Sequence, residues 1–520
     1  MDYSKHLAKK NTSPTEPLFG ESMVKNNAGG YVYSITAKQQ LERFLILGTE
    51  GGTYYCKEQS LTVENAKSII ELIKNEGQTV LNVLKDVVSQ KRAPKMDPAL
   101  FVLALLCTYG NETIKQHAYS MISTTCKTST HLFTFLSNVK NIRGYSRGLR
   151  SGIAKFYTSK TNDQIAYQIT KYRSRNGYTH KDALRLSHPK ALTQDQNKIF
   201  SYIVGKASAE ETDNDLIVAV ETALKTTESK DLVNLINEFK LTWEMIPTEK
   251  LNDKEVLKAL LPNMPLNAMI RNLNRMSAAG LFDSNTSNET KYVVSQLTNK
   301  EVVAKSGLHP VNLLNMMYTY ERGYGHLGKL TWDANQKIVS AMETAFNNSF
   351  ETLKPSGKNL LIAVDVSGSM SAVINNMAIN CKQAGAALSL AFVKSEPNVD
   401  LIWFDTQVYK PKTGPHSSYT EVLANTPNGG GTDCSLAFQY ALKTKVKYDG
   451  IIIITDNETW VGKTHASVLL NDYRKKVNKD VKVVNIGMSA TNYSVTDANL
   501  NNLHVAGFDA SIPEVINSFV

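Results

Sequence analysis

The sequence predicts a two-domain protein: an all-α first part of stacked, HEAT-like helical pairs, followed by an α/β doubly wound domain. Three observations carry this expectation. Up to about Thr352, apolar residues recur at helical spacing and strand-like alternation is nearly absent. Beyond Pro355, short apolar runs alternate with helical ones, the pattern of a parallel sheet covered on both faces. The charge changes at the same place. The 520 residues carry a formal net charge of +10, yet from Ser356 onward 14 Lys+Arg meet 14 Asp+Glu, leaving 44 basic against 34 acidic residues before it. The predicted boundaries are a flexible segment over 1–30, a helical region over 31–355 and an α/β domain over 356–520.

Composition narrows the class. A hydrophobic share of 42% and a charged share of 20% are those of a globular protein, and no apolar run approaches the roughly 20 residues of a membrane span. The opening MDYSKHLAKKNTSPTEP has no apolar core of a secretory signal. Five cysteines, odd in number and never spaced as CxxC, read as reduced thiols of a cytoplasmic protein, with neither a disulfide framework nor a zinc finger. Basic charge confined to the helical part points to a polyanionic partner, nucleic acid before others.

Taken in order, residues 1–30 are polar and end in KNNAGG, so order is expected from Tyr31. Thr62, Glu64 and Asn65 suit the start of a helix. The segments NVLKDVVSQ, PALFVLALLCTYG, THLFTFLSNV, RGLRSGIAKFY, DQIAYQITKYRSR, EVLKALLPNM and NAMIRNLNRM then repeat the helical pattern, broken by Pro, Gly, Asn and Ser. The densest basic tract runs from Lys140 to Lys190 and interleaves Arg143, Arg147, Arg150, Lys155, Lys171, Arg173 and Arg175 with Tyr145, Tyr157, Tyr167, Tyr172 and Tyr178. Cations that neutralise phosphates beside rings that stack on unpaired bases suit single-stranded RNA. Amphipathic helices with a solvated basic face and inward tyrosines give the same pattern, so the residues alone leave both readings open. His180 and His188 have no zinc-spaced neighbours and read as packed or capping side chains.

After LKPSGKN the alternation begins: LLIAVDVS, a helix through CKQAGAALSLAFVKS, VDLIWFD, DCSLAFQYALKTK, GIIIITD, HASVLLNDYRKKV, VKVVNIGM and LHVAGF. In LLIAVDVSGSM an unbroken apolar strand delivers Asp365, Ser367 and Ser369 at its carboxyl end, where open α/β sheets place ligands. The loop GGGTD adds Thr432, and GIIIITD ends in Asp456. These are all oxygen donors, which suits Mg²⁺ or another hard divalent cation, with the hydroxyls ligating directly and the two acids supplying charge. A phosphoryl-transfer enzyme is the alternative that also uses an acid at a strand end with Mg²⁺. That chemistry wants a second acid in DxD spacing, and Ser367 stands in its place; a Walker-type lysine loop is also missing from the sequence. A third reading is protein docking, in which a partner's acid completes the ion's shell.

DVSGS, GGGTD and the strand-end TD together resemble the metal-ion-dependent adhesion site of von Willebrand factor A domains. With GGTYYCKEQ (51–59), THLFTF, RNGYTHKDALRLSHPKAL, LPNMPLNAMIRNL and ITDNETW, nearly the whole chain resembles the Ro ribonucleoprotein family, the TROVE-domain RNA-binding autoantigens. The resemblance implies a ring of helical repeats closed by the A domain, and no enzymatic activity. It implies a basic central hole that takes single-stranded ends of misfolded noncoding RNA, and an outer surface that binds Y RNA. It places Lys171, Arg175 and His188 at the Y RNA-binding positions, and it leaves Arg143, Arg147, Arg150 and Lys155 facing RNA on hole or rim. The role implied is noncoding RNA quality control or stress response by a cytoplasmic monomer, with an exoribonuclease as a possible partner.

Overall fold

A computed structural model describes all residues except 1–11, 48–65, 94, 309, 326–328, 350–354, 375–377, 428, 498, 508–511, 513–515 and 517–518. The stretch GGTYYCKEQ, Cys56 and the helix start at Thr62 therefore lie outside the described residues.

The first part is helical, as its spacing predicts. It runs through α1 (Ala37–Leu47), α2 (Lys67–Ser89), α3 (Asp97–Tyr109), α4 (Glu112–Thr125), α5 (Ser129–Ile142), α6 (Arg147–Thr158) and α7 (Asn162–Lys171). Next come α8 (His180–Ser187), α9 (Gln194–Ile203), α10 (Asp215–Lys225), α11 (Ser229–Phe239) and α12 (Lys254–Leu260). The series ends with α13 (Leu266–Ala278), α14 (Asn288–Thr298), α15 (Lys300–Ser306), α16 (Pro310–Glu321) and α17 (Gln336–Asn348). The polar residues that interrupt the apolar pattern are what start these helices. Asn111, Thr128, Ser146, Thr161, Thr179, Thr193 and Asn214 each cap a helix by accepting a backbone amide of its first turn. Helices stack in chain order, α1 on α2, α2 on α3, α3 on α4 and α5, and α4 on α6, as repeats do. α3, apolar on every side, is buried from Pro98 to Thr108.

The second part is built on β5 (Asn359–Asp365), β6 (Asn398–Phe404), β7 (Val408–Tyr409), β8 (Gly450–Thr455), β9 (Lys482–Gly487) and β11 (Asn502–Ala506). They form one six-stranded sheet in the order β11-β9-β8-β5-β6-β7, parallel except for the short edge strand β7. The unbroken apolar run of β5 is buried on both faces. Leu361 and Ala363 join the core under α20 (Ser435–Thr444) and α21 (Ala466–Lys476). Leu360, Ile362 and Val364 join the core under α18 (Cys381–Ser395), which is continuous with that of the helices.

Both ends of the helical array meet this domain, so it closes the array. At one end α1 packs on β11, and the Arg43 guanidinium donates to the carbonyls of Thr491 and Tyr493, each at 2.8 Å. At the other, α19 (Tyr419–Ala424) brings Tyr419 against α16 and α17: its amide donates to Glu343 at 2.6 Å and its hydroxyl accepts from Tyr318 at 3.3 Å.

Two features differ from the expectation. The polar segment up to residue 30 is structured where described: β1 (Val24–Lys25) pairs with β2 (Tyr31–Ser34), and β2 pairs with β10 (Tyr493–Ser494) of the α/β domain. The Asn and Gly residues that read as a linker make this docking. Asn26 donates to Thr459 at 2.8 Å, and Gly30 passes so near that a Cβ there would sit 2.0 Å from the Thr459 carbonyl. The helical part also contains a hairpin, β3 (Ser174–Arg175) with β4 (Tyr178–Thr179), turned at Asn176 and Gly177 with φ of 50° and 76°.

Candidate metal centre and nucleic-acid interface

Parallel pairing of β5 with β8 sets Asp365 beside Thr455, whose hydroxyl donates to Asp365 Oδ2 at 2.7 Å. The other oxygen, Oδ1, accepts the Ser367 amide at 2.9 Å, which folds the DVSGS loop back over the strand end. Ser367 and Ser369 turn their hydroxyls toward each other at 3.1 Å. The glycine loop docks directly onto this turn: the Gly368 amide donates to the Gly430 carbonyl at 2.9 Å, and a Cβ on Gly429 would lie 2.2 Å from the Val366 carbonyl. The Thr432 carbonyl in turn accepts the amides of Trp460 and Val461, so the loop after Asp456 closes the third side. Asp365, Ser367, Ser369, Thr432 and Asp456 are thus gathered at the carboxyl edge of the sheet, each buried.

Among the described residues, the acids of this cluster form no ion pair with a basic side chain. Burial pushes the Asp365 carboxyl up to about 6. Asp456 is pushed well up by burial, then by the charges of Asp365 and Glu458, and its Oδ2 has no hydrogen-bond partner among the described residues. Asp433 is raised by burial, and the Cys381 and Cys434 thiols likewise. Asp405 behaves differently: burial would raise it, but the amides of Gln407 and Gly430 and the Tyr409 hydroxyl outweigh burial and hold it below the usual range. Among the described residues no three His, Cys, Asp or Glu side chains form a metal-holding group. A cation here would rest on the hydroxyls for ligands and on Asp365 and Asp456 for charge, and the orphaned Asp456 oxygen fits one. Asp405 and Glu458 escape the sequence reading, although Asp405 ends VDLIWFD as Asp365 ends its own strand.

The RNA candidates sit elsewhere, on α5 to α8. Arg175 lies on the hairpin, and His188 caps the C-terminus of α8 in a left-handed conformation with φ of 46°; both are exposed. Lys171 ends α7 half-buried. Its ammonium donates to the Tyr167 hydroxyl at 2.8 Å and faces Glu244 at 3.7 Å. Burial works against that charge, but Tyr167 and Glu244 outweigh it and hold its pKa above the ordinary value. Arg143, at the end of α5, and Arg147, Arg150 and Lys155 on α6 are exposed, and like Arg175 they form no ion pair among the described residues. His180 is a packing residue: it is buried edge-on against Phe133, with its ring nitrogens on the Tyr157 hydroxyl and the Tyr172 carbonyl at 3.0 Å each.

A closed helical array carrying exposed arginines, joined to an A domain with an acid and hydroxyl centre, defines a TROVE-type architecture. The comparisons agree: residues 24–241 and 238–318 match the TROVE domain, and residues 359–520 match the Ro60 vWA domain. The chain is 33% identical over 518 residues to the RNA-binding protein RO60 of Deinococcus radiodurans, covering 98% of this chain and 97% of that protein. It is 32% identical over 587 residues to the RNA-binding protein RO60 of Caenorhabditis elegans, covering 96% and 90%. The crystal structure of the Deinococcus radiodurans RO (RSR) protein superimposes with a TM-score of 0.74 at 31% identity, over 93% of this chain and 99% of that one. The chain belongs to the Ro60 family of TROVE-domain proteins.

Proposed function

We propose that this chain is the RNA-binding protein of a small ribonucleoprotein and acts by capture rather than turnover. Y-like small noncoding RNA would lie on the outer surface along Lys171, Arg175 and His188. Single-stranded ends of misfolded noncoding RNA would enter the middle of the helical array, in the service of quality control or stress response. The observation that carries this reading is the group of exposed cations without an ion pair among the described residues, Arg143, Arg147, Arg150, Lys155 and Arg175, on successive elements of one region. The relatives' names as RNA-binding proteins support it. Mg²⁺ at the A-domain centre would supply a charged docking point there, completed by a partner's carboxylate. A cytoplasmic monomer that passes RNA to an exoribonuclease fits the buried free thiols of the described cysteines.

The test is RNA binding as a function of salt. Changing Lys171, Arg175 and His188 together to Ala should weaken Y-like RNA at least about tenfold and flatten the salt slope by about 0.7–0.9 for each phosphate no longer neutralised. Unchanged affinity and slope would remove the strip from the interface.

A further inference from the structure

A cavity of about 380 Å³ opens between α3, α4 and the α5–α6 connection, beside the arginines but distinct from the strip of Lys171, Arg175 and His188. Its walls combine three chemistries. Lys115 and Arg143 supply positive charge, Tyr119 and Tyr145 supply aromatic surface, and Glu112 with Gln116 supplies a paired carboxylate and amide, joined at 2.7 Å. Close packing and side-chain hydrogen bonds fix the two aromatic walls. Gly148 lies so close to the Tyr119 ring that a Cβ would come within 2.5 Å of it, and the Tyr119 hydroxyl is fixed by Ser146 Oγ at 3.1 Å. Tyr145 is fixed too, donating to the Leu136 carbonyl at 3.1 Å and meeting the Tyr178 hydroxyl at 2.6 Å. That last contact joins the cavity wall to the hairpin that carries Arg175. On the other side, the cavity lining runs into the first turn of α6, which carries Arg147 and Arg150.

We infer that this cavity accepts one unstacked nucleotide of an RNA strand crossing the α5–α8 surface. The volume is at the small end of ligand sites, enough for one nucleotide and too little for a base pair. Rings of tyrosine suit the face of a base whatever its identity. The Glu112–Gln116 pair offers both an acceptor and an amide to a base edge, and the two cations suit the flanking phosphates. A purely apolar ligand would leave these polar groups without partners, which disfavours it. The inference rests on the RNA-binding reading above and adds a subsite to it.

The experiment compares two RNAs of equal length, one a blunt duplex and one with unpaired nucleotides beside a stem, by fluorescence anisotropy at fixed salt. Gln116→Trp plugs the cavity from the exposed face of α4 without altering charge, and Lys115→Ala with Arg143→Ala removes its cations. Gln116→Trp should weaken the RNA with unpaired nucleotides about tenfold, the loss of one stacked base, and leave the duplex within twofold. The double cation variant should weaken both RNAs, the one with unpaired nucleotides more. A 4-thiouridine placed in the unpaired stretch should crosslink to Tyr119 or Tyr145. Equal binding of both RNAs by wild type and Gln116→Trp would overturn the pocket while leaving the RNA-binding reading intact. Failure of the wild-type chain to bind either RNA would overturn both. Saturation by free uridine or adenosine monophosphate that is abolished by Gln116→Trp, with RNA affinity unchanged, would reassign the cavity to a free nucleotide and overturn the inference.

Discussion

Asp456 is the orphaned acid of the strand-end centre. Its carboxylate is fully buried, one oxygen lacks a partner among the described residues, and Asp365 and Glu458 press on it with like charge. Without a cation this cluster costs stability, so Asp456→Asn should raise the melting temperature in chelator. Under the proposal of a Mg²⁺ site, the wild type should gain about 2.7 kcal/mol of stability at a hundredfold excess of Mg²⁺ over its dissociation constant, and the same change should abolish that gain. Thermal melts with and without Mg²⁺ decide it, and a variant that still responds would move the cation away from Asp456. His180 makes a second prediction at this scale. Burial lowers its pKa from 6.5 to about 4. The unfolded chain then takes up its proton first, so the stability contributed by neutral His180 is complete above about pH 6.5 and is lost as pH falls toward 4. The difference approaches about 3 kcal/mol. In urea melts at a series of pH values, His180→Gln should be less stable than wild type at pH 7 and should lose less on acidification; parallel curves would assign the acid sensitivity to other groups.

At the scale of elements, the sequence makes legible whatever rests on local pattern. The buried strand β5, the helical segments THLFTFLSNV, RGLRSGIAKFY and DQIAYQITKYRSR, and the gathering of DVSGS, GGGTD and TD at one sheet edge all follow from periodicity and strand ends. What stays hidden depends on partners far along the chain. Tyr31–Ser34 pairs with Val24–Lys25 nearby, but its other edge is covered by Tyr493 and Ser494, some 460 residues further along the chain, which no local pattern announces. Cavity walls from α3 to α6 likewise meet only in three dimensions. The β3–β4 hairpin is the exception, since Asn176-Gly177 is a local turn signal masked by the helical segments around it. Its turn predicts an outcome. Gly177→Val forces a branched side chain into φ of 76°, which costs about 1–2 kcal/mol locally and displaces Arg175. Anisotropy should show weaker Y-like RNA binding with an unchanged Mg²⁺ response, whereas full affinity would mean that Arg175 works without the hairpin.

Across the whole molecule, closure rests on two unlike joints. The α16–α19 joint is made of aromatic contacts and neutral or singly charged hydrogen bonds around Tyr419. The other depends on Arg43, which is 2% exposed, lies against carbonyls rather than a carboxylate, and has Nε and Nη2 unpartnered among the described residues. Burial alone lowers its pKa to about 10, so it stays charged at neutral pH and its desolvation goes largely uncompensated. Such a contact is poor cement, yet it is specific in place: the single Nη1 at the end of the long stem donates to the Thr491 and Tyr493 carbonyls together. Arg43→Met keeps the stem and strands both carbonyls, a loss of about 2 kcal/mol confined to this joint. The array should then open at its amino-terminal end while β5 and β8 stay protected. Hydrogen exchange should show β2, β10 and α1 losing protection first, and calorimetry should resolve an earlier transition ahead of the main one. Uniform loss of protection across both domains would mean instead that the continuous core under α18, and not the Arg43 joint, sets the cooperativity of the closed molecule.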